Sequence, residues 1–205
     1  MKPEEWKKGK AHLRRACPTM KRIIDAYPGE TLKAREDGFY TLLRAIMGQQ
    51  ISVKAADAIW KRFEAKIKPL TPEKLSRVKI STLRALGLSE QKANYVKNIA
   101  QFYLKNPRHA EGWHAHADDE IIKQLTEVKG IGRWTAEMFL IFHLVRTDVF
   151  PVGDLGLLKA IDLHYPTRVK RKKAHYEKVA APWKPYRSMA TWYLWRSLDP
   201  LPVEY

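Results

Sequence analysis

Helical periodicity is the feature of this sequence that most constrains its fold. Apolar residues recur three and four positions apart in nearly every segment, which is the spacing of a single buried helix face. One such face comprises Phe39, Leu42, Leu43, Ile46 and Met47, and a second comprises Val53, Ala56, Trp60, Phe63 and Ile67. No segment shows the alternating pattern of a convincing strand. The sequence therefore predicts an all-α protein of about ten short helices.

Helix boundaries and buried helices can also be located by local rules. Thr71 before Pro72 and Ser89 before "EQKANYVKN" are typical helix starts, because their hydroxyls accept hydrogen bonds from the first free N–H groups. The segment "TAEMFLIFHLV" is apolar on all sides, which predicts a central buried helix. The segment "YRSMATWYLWRSL" predicts a last helix that is rich in aromatic residues.

Charge and cysteine content narrow the class of protein. Lysine and arginine number 38 against 22 acidic residues, a formal charge of +16 in 205 residues, which indicates a polyanionic partner such as nucleic acid. The single cysteine excludes an intrachain disulfide framework, a multi-cysteine zinc site and a four-cysteine iron–sulfur cluster. The first residues lack the apolar core of a signal peptide, and "MFLIFHLV" is far shorter than the ~20 residues of a membrane helix. We therefore expect an intracellular protein that has no membrane partner.

The segment "VKGIGR" joins two predicted helices by a turn that contains Gly130 and Gly132. Glycine permits a positive φ and lets another molecule approach the backbone closely. The N–H groups at the start of the second helix then favour an anion such as a DNA phosphate, with Arg133 adding charge. A plain glycine turn without any ligand is the alternative interpretation.

Three blocks, in the order of a known family, resemble the helix–hairpin–helix base-excision DNA glycosylase superfamily. They are "LLRAIMGQQISVKAA", then "LTEVKGIGRWTAEMF" with "DVFPVGDLGL", and finally "WKPYRSMATWYLW", which is similar to the C-terminal helix of 3-methyladenine DNA glycosylases of type II. The resemblance implies a two-lobed all-α fold with a cleft between the lobes, and without the N-terminal α/β domain of larger bacterial relatives. One lobe would comprise residues 37–150 and the other residues 1–36 plus 151–205.

The resemblance also implies an activity. Members of the superfamily that cut the DNA strand carry a lysine nucleophile where this chain has Trp134. We therefore expect a monofunctional enzyme that flips out and hydrolytically releases alkylated purines, such as 3-methyladenine and 7-methylguanine, and leaves an abasic site. It would act as a monomer on double-stranded DNA containing damaged bases, without a cofactor. The alternatives are a non-catalytic helix–hairpin–helix DNA-binding module and a glycosylase for oxidised or mismatched bases.

The resemblance assigns roles to individual residues. Asp154 matches the essential carboxylate, although an isolated aspartate in "GDLGL" is more simply a helix N-cap. The expected base pocket comprises Trp134, Trp195, Met138, Phe39 and Tyr40, with Tyr193 as a lesser candidate; Met138 departs from the aromatic residue of a well-known relative. Gln50 and Ile51 match the wedge that fills the gap left by a flipped base. The expected phosphate contacts are Gly130, Gly132, Arg133 and Thr135.

Metal binding is expected only in a structural form. The seven histidines show no metal-ligand spacing, so we expect no catalytic metal. The resemblance implies a monovalent cation held by the backbone carbonyls of Thr126, Val128 and Ile131. The basic run "RVKRKK", residues 168–173, is either a solvated face or a phosphate contact.

Overall fold

The computed structural model describes residues 2–29, 31–35, 37–106, 112–167 and 172–198. In these ranges the regular elements are helices and none is a strand, so the predicted all-α fold is confirmed. None of the described helices is long and apolar enough to cross a membrane.

The chain divides into two compact units, Met1–Ala34 with Val145–Glu204 and Arg35–Leu144. The first unit begins with α1 (Pro3–Ala16) and α2 (Pro18–Ala26). The second unit contains α3 (Gly38–Gly48), α4 (Val53–Lys66), α5 (Pro72–Arg77), α6 (Ile80–Ala85), α7 (Glu90–Lys105), α8 (Asp118–Thr126) and α9 (Arg133–Phe142), with a 3₁₀ turn at Trp113–Ala115. The first unit then continues with α10 (Leu155–His164), α11 (Lys173–Ala180) and α12 (Arg187–Arg196), with a 3₁₀ turn at Ala181–Trp183.

The core of the first unit is built around α12. This helix is the last one that the sequence predicted, and it is buried from residue 188 to residue 196. The Trp192 ring meets the Trp6 ring edge to face at 5.4 Å, and the Tyr193 ring lies 5.7 Å from Trp6. Tyr193 is thus a core residue with no exposed surface.

The core of the second unit is formed where α3 packs against α7 and α9. The predicted face of α3, from Phe39 to Met47, is buried, and so are Trp60, Phe63 and Ile67 of the α4 segment. Every residue of α9 from 135 to 142 is buried, which confirms the predicted central helix. Two helices of this core border the loops that matter for function: residues 49–52 follow α3, and residues 127–132 precede α9.

Helix starts follow the predicted capping residues. The hydroxyls of Thr71 and Ser89 accept hydrogen bonds from the N–H groups of Lys74 and Lys92, at 3.3 and 3.2 Å. Local hydrogen bonding of this kind fixes where α5 and α7 begin, independently of tertiary packing.

Candidate DNA-repair active site

The hairpin turn, residues 127–132, connects α8 to α9 in the second unit. Gly130 has a φ of 111°, and a Cβ at this position would overlap the Tyr95 side chain of α7. The Ile131 N–H closes the turn by donating to the Val128 carbonyl at 2.9 Å. Gly130 is therefore required by both conformation and packing.

Gly132 serves a different purpose, because only one of the two properties expected of the glycines, the close approach to the backbone, applies to it. Its φ is −92° and its ψ 174°, an extended conformation that any residue adopts. A Cβ here would meet no heavy atom within 4 Å among the described residues. Gly132 is the N-cap of α9, so the absence of a side chain leaves the helix N-terminus open to an approaching group.

Two side chains in the first turn of α9 are engaged within the protein. Arg133 has a 66 % exposed side chain, and its Nε donates to the buried carboxylate of Glu137 at 3.0 Å. Thr135 is 1 % exposed, and its hydroxyl accepts a hydrogen bond from the Gln49 side-chain amide at 2.9 Å. Of the groups expected to contact phosphate, Thr135 is thus buried and bound to Gln49.

Helix α7 supports the hairpin turn through residues that the sequence analysis did not single out. The Asn98 side-chain amide donates to the Lys129 carbonyl at 2.9 Å, and the Tyr95 ring fills the space beneath Gly130. Their spacing of three residues on one helix face was visible in the sequence, but nothing in it identified the turn as their partner.

The second loop of interest, residues 49–52, follows α3 and is named here the wedge loop. Gln50 is exposed and has a φ of 58°, a left-handed conformation that costs a non-glycine residue roughly 1–2 kcal/mol. Ile51 is 38 % exposed. The two residues expected to form a wedge are therefore presented at the surface, at the tip of a tight turn.

Lys92 of α7 holds this loop from below. Its ammonium donates to the carbonyls of Met47 and Gln49 at 2.9 and 2.7 Å, and burial lowers the pKa of the amine. These carbonyls lie at the C-terminal end of α3, where they lack helical partners, so a cation is the natural cap. Lys92 was not identified from the sequence, because nothing there distinguishes it from the other lysines of this helix.

Asp154 lies in the first unit as the N-cap of α10. Its Oδ1 accepts hydrogen bonds from the Leu157 N–H at 2.6 Å and from the Trp195 indole N–H at 2.9 Å. The side chain is buried, with an overall exposure of 6 % for the residue. A Cβ on Gly156 would stand 3.2 Å from the same oxygen, so a small residue is required beside the carboxylate. The simple capping interpretation is thus confirmed, and it leaves the carboxylate rigidly fixed.

The residues expected to line a base pocket differ in exposure. Trp134 and Tyr40 are half-buried. Met138, Phe39 and Trp195 are buried, and the Trp195 indole N–H is the donor to Asp154.

Tyr40 lies in a cluster of aromatic and cationic side chains within the second unit. Its hydroxyl accepts from the Trp60 indole at 2.9 Å, and the Arg35 guanidinium lies 4.9 Å from its ring centroid. Burial, and then the Glu64 carboxylate, raise the pKa of this phenol, so Tyr40 stays neutral at physiological pH.

The remaining expectations concern metal and charge. Within the described ranges, no group of three or more histidine, cysteine, aspartate or glutamate side chains is placed to hold a metal ion. The Val128 carbonyl, one of the three expected cation ligands, accepts the Ile131 N–H and keeps a second lone pair. Residues 168–171 of the basic run lie outside the described residues.

Comparison with known proteins identifies the family. Residues 43–185 match the family described as HhH-GPD superfamily base excision DNA repair protein. DNA-3-methyladenine glycosylase 1 of Schizosaccharomyces pombe is 33 % identical over 202 residues, which cover 93 % of this chain and 86 % of the relative. DNA-3-methyladenine glycosylase 2 of Escherichia coli is 29 % identical over 187 residues, 85 % of this chain and 62 % of the relative.

A solved structure agrees with this assignment. The Schizosaccharomyces pombe 3-methyladenine DNA glycosylase in complex with abasic DNA superimposes with a TM-score of 0.83 at 31 % identity, covering 93 % of this chain and 96 % of that one. The sequence match includes both the hairpin turn and Asp154, so the local geometry and the overall similarity concern the same residues. The chain belongs to the HhH-GPD superfamily of base excision DNA repair proteins.

Proposed function

We propose that this chain is a monofunctional DNA glycosylase that hydrolyses the N-glycosidic bond of alkylated purines in duplex DNA. The observation that carries the proposal is Asp154, a buried carboxylate fixed through one oxygen by a helix N-terminus and by Trp195. Further support comes from the relatives, which are named DNA-3-methyladenine glycosylases. We also propose that it acts as a monomer.

Asp154 is proposed to stabilise the positive charge that develops on the sugar. Breaking the bond from C1′ to the base nitrogen leaves an oxocarbenium-like sugar, and the bonding electrons depart with the base. A carboxylate ~4 Å from that charge contributes ~4 kcal/mol at an effective dielectric constant of ~20. Water then adds its oxygen to C1′ and passes a proton to the carboxylate or to solvent. An alkylated purine is already cationic, so its departure needs no general acid.

Trp134 and Tyr40 are proposed to contact the flipped base directly, since both are half-buried aromatics in the second unit. A cationic base stacked on an indole gains ~2 kcal/mol when it is desolvated. Phe39 and Met138 would support the pocket from behind, because they are buried. Trp195, the fifth residue expected at the base pocket, is proposed to act chiefly as the donor to Asp154 within the first unit.

The DNA backbone is proposed to bind the N-terminus of α9. The backbone N–H groups beside Gly132 and the exposed guanidinium of Arg133 form a site for a phosphate, and Gly130 shapes the turn. Carbonyl oxygens of Thr126, Val128 and Ile131 are proposed to hold a monovalent cation, which would supply positive charge close to that phosphate. Gln50 and Ile51 are proposed to fill the gap left by the flipped base.

Asp154→Asn tests the central assignment, because asparagine caps helices as well as aspartate does and should preserve α10. Release of 3-methyladenine and 7-methylguanine from methylated duplex should fall on the order of a thousandfold. Affinity for the duplex should stay equal or rise. Base release near the wild-type rate in the folded variant would refute the role of Asp154, and a wild-type protein that binds DNA but releases no base would favour the non-catalytic module.

The product distinguishes a monofunctional enzyme from a strand-cutting glycosylase. Because Trp134 offers no amine, borohydride should not trap the protein on damaged DNA, and strand breaks should appear only after hot alkali. A DNA complex trapped by borohydride would instead favour a strand-cutting glycosylase of the kind that acts on oxidised bases.

A further inference from the structure

The wedge loop and the first turn of α9, which follows the hairpin turn, are joined by a direct hydrogen bond between residues 86 positions apart. The Gln49 side-chain amide, next to the proposed wedge, donates at 2.9 Å to the Thr135 hydroxyl in the first turn of the proposed phosphate-binding helix. Thr135 is nearly inaccessible to solvent, so water competes little for this bond.

Helix α7 connects the same two loops from one side. Lys92, Tyr95 and Asn98 are three residues apart and lie on one stripe of the helix. Lys92 binds the carbonyl of Gln49 in the wedge loop, whereas Tyr95 and Asn98 contact Gly130 and Lys129 in the hairpin turn. A single rigid helix therefore sets the positions of both loops.

The wedge loop borders an open pocket of about 270 Å³, lined by residues of the loop, of α3, α4 and α7, and of the segment before α7. Because packing restrains a loop less where it borders open space, polar bonds contribute to the restraint that keeps Gln50 at a φ of 58°. They include the bonds of Lys92 to the carbonyls of Met47 and Gln49, and that of Gln49 to Thr135.

We propose that Gln49 and Lys92 are positioning residues that fix the wedge loop to the hairpin turn, so that phosphate binding and wedge insertion occur as one rigid docking event. This inference rests on the proposed DNA glycosylase function. Phosphate contacts fix the position of the hairpin turn on the duplex. Because Gln49 and Lys92 hold the wedge loop at a fixed distance from that turn, the same contacts also fix the positions of Gln50 and Ile51. Base flipping costs a few kcal/mol, and a wedge that is already in place offsets part of this cost without an ordering penalty.

Lys97 provides a matched control for Lys92. It lies on the same helix and caps the carbonyls of Leu75, Ser76 and Val78, and burial lowers the pKa of both lysines. Lys92→Met and Lys97→Met each remove one charge and the donors to a set of carbonyls, but only the first set belongs to the wedge loop. Losses of stability and of net charge should therefore be similar in the two variants.

The test uses the full chain and two DNA duplexes. The first contains a tetrahydrofuran abasic analogue beside 2-aminopurine, whose fluorescence rises when a wedge unstacks it, and it requires no catalysis. Lys92→Met should reduce the fluorescence rise at saturating protein on the order of tenfold, and Gln49→Ala about fivefold, in line with the loss of charged and neutral hydrogen bonds. Affinity for undamaged duplex should change less than about twofold relative to Lys97→Met.

The second duplex contains an alkylated purine, either paired or in a bulge, and base release is measured on both. The variants should lose activity on the paired lesion and recover most of it on the bulged one, because an unpaired base costs less to flip. Equal defects in Lys92→Met and Lys97→Met, or equal losses on paired and bulged lesions, would overturn the inference. Failure of the proposed function is distinguishable, because the wild type would then release no base from either duplex while the fluorescence assay still reports the wedge.

Discussion

The N-termini of α9 and α10 differ in how they are capped. At α9 the N-cap is Gly132, which has no side chain to cap the first turn, whereas at α10 the N-cap is Asp154, whose own carboxylate accepts the Leu157 N–H. An open N-terminus attracts an anion from outside, and a capped one already contains its anion. This difference supports the proposed roles, because a phosphate site must accept DNA of any sequence, whereas a catalytic carboxylate must hold one charge in one place.

The two glycines of the hairpin turn should differ strongly in how much they contribute to stability. Gly130→Ala should lower the free energy of unfolding by at least about 2 kcal/mol, because alanine resists the positive φ and its Cβ overlaps Tyr95. Gly132→Ala should change it by less than about 1 kcal/mol, because its backbone is extended and its surroundings are open. Denaturant unfolding of both variants measures the difference, and equal destabilisation would contradict the separate roles.

Gly132→Val then tests the open N-terminus itself. A branched side chain fits an extended backbone but stands where a phosphate would approach, so affinity for duplex DNA should fall on the order of tenfold. Damaged and undamaged duplexes should be affected equally, since phosphate contacts carry no base information. If a folded variant bound undamaged DNA normally and lost only its discrimination between lesions, the hairpin would belong to the base pocket instead.

Trp195→Phe tests how much the second hydrogen bond to Asp154, at the N-terminus of α10, contributes to catalysis. The change removes the indole N–H that binds Asp154 and keeps most of the buried ring. We expect base release to slow on the order of tenfold, the cost of a hydrogen bond to a charged group, while DNA affinity is retained. Single-turnover rates on several alkylated purines measure the effect.

Trp192→Phe is the matched control, because Trp192 is a buried core residue of the same helix that packs against Trp6. It should lower stability without a specific loss of rate. A change in the ranking of lesions by Trp195→Phe, with little loss of rate, would show that Trp195 acts mainly as a wall of the base pocket.

The sequence predicts those features of the fold that depend on residues close together in the chain, such as helix caps. Capping by Thr71, Ser89 and Asp154 depends on bonds to residues three positions away, and each was predicted correctly. The spacing of the apolar residues of α3 predicts their burial, but it does not predict that Thr41, Arg44 and Ala45 are buried as well. The hairpin turn was located by its glycines, but a sequence does not show which glycine needs the positive φ and which leaves the backbone open to approach.

What the sequence could not predict are the contacts between distant segments. The bond from Trp195 to Asp154 spans 41 positions and that from Lys92 to the Gln49 carbonyl spans 43. These partners depend on the packing of several helices, and lysine or tryptophan at helical spacing is equally typical of an ordinary surface or core.

Arg133→Ala is expected to have the smallest effect on DNA binding, because the Arg133 side chain is already partly engaged within the protein. It stands at the open N-terminus of α9, yet its Nε is bound to the buried Glu137 carboxylate. If it reaches a phosphate, the slope of log K against log salt should decrease by up to about 0.9, the release of one counterion. Arg14→Ala, which also removes one exposed arginine from an ion pair, here with Asp25, should leave the slope almost unchanged. Equal slopes for wild type and Arg133→Ala would mean that Arg133 only neutralises Glu137, and that the backbone N–H groups bind the phosphate without it.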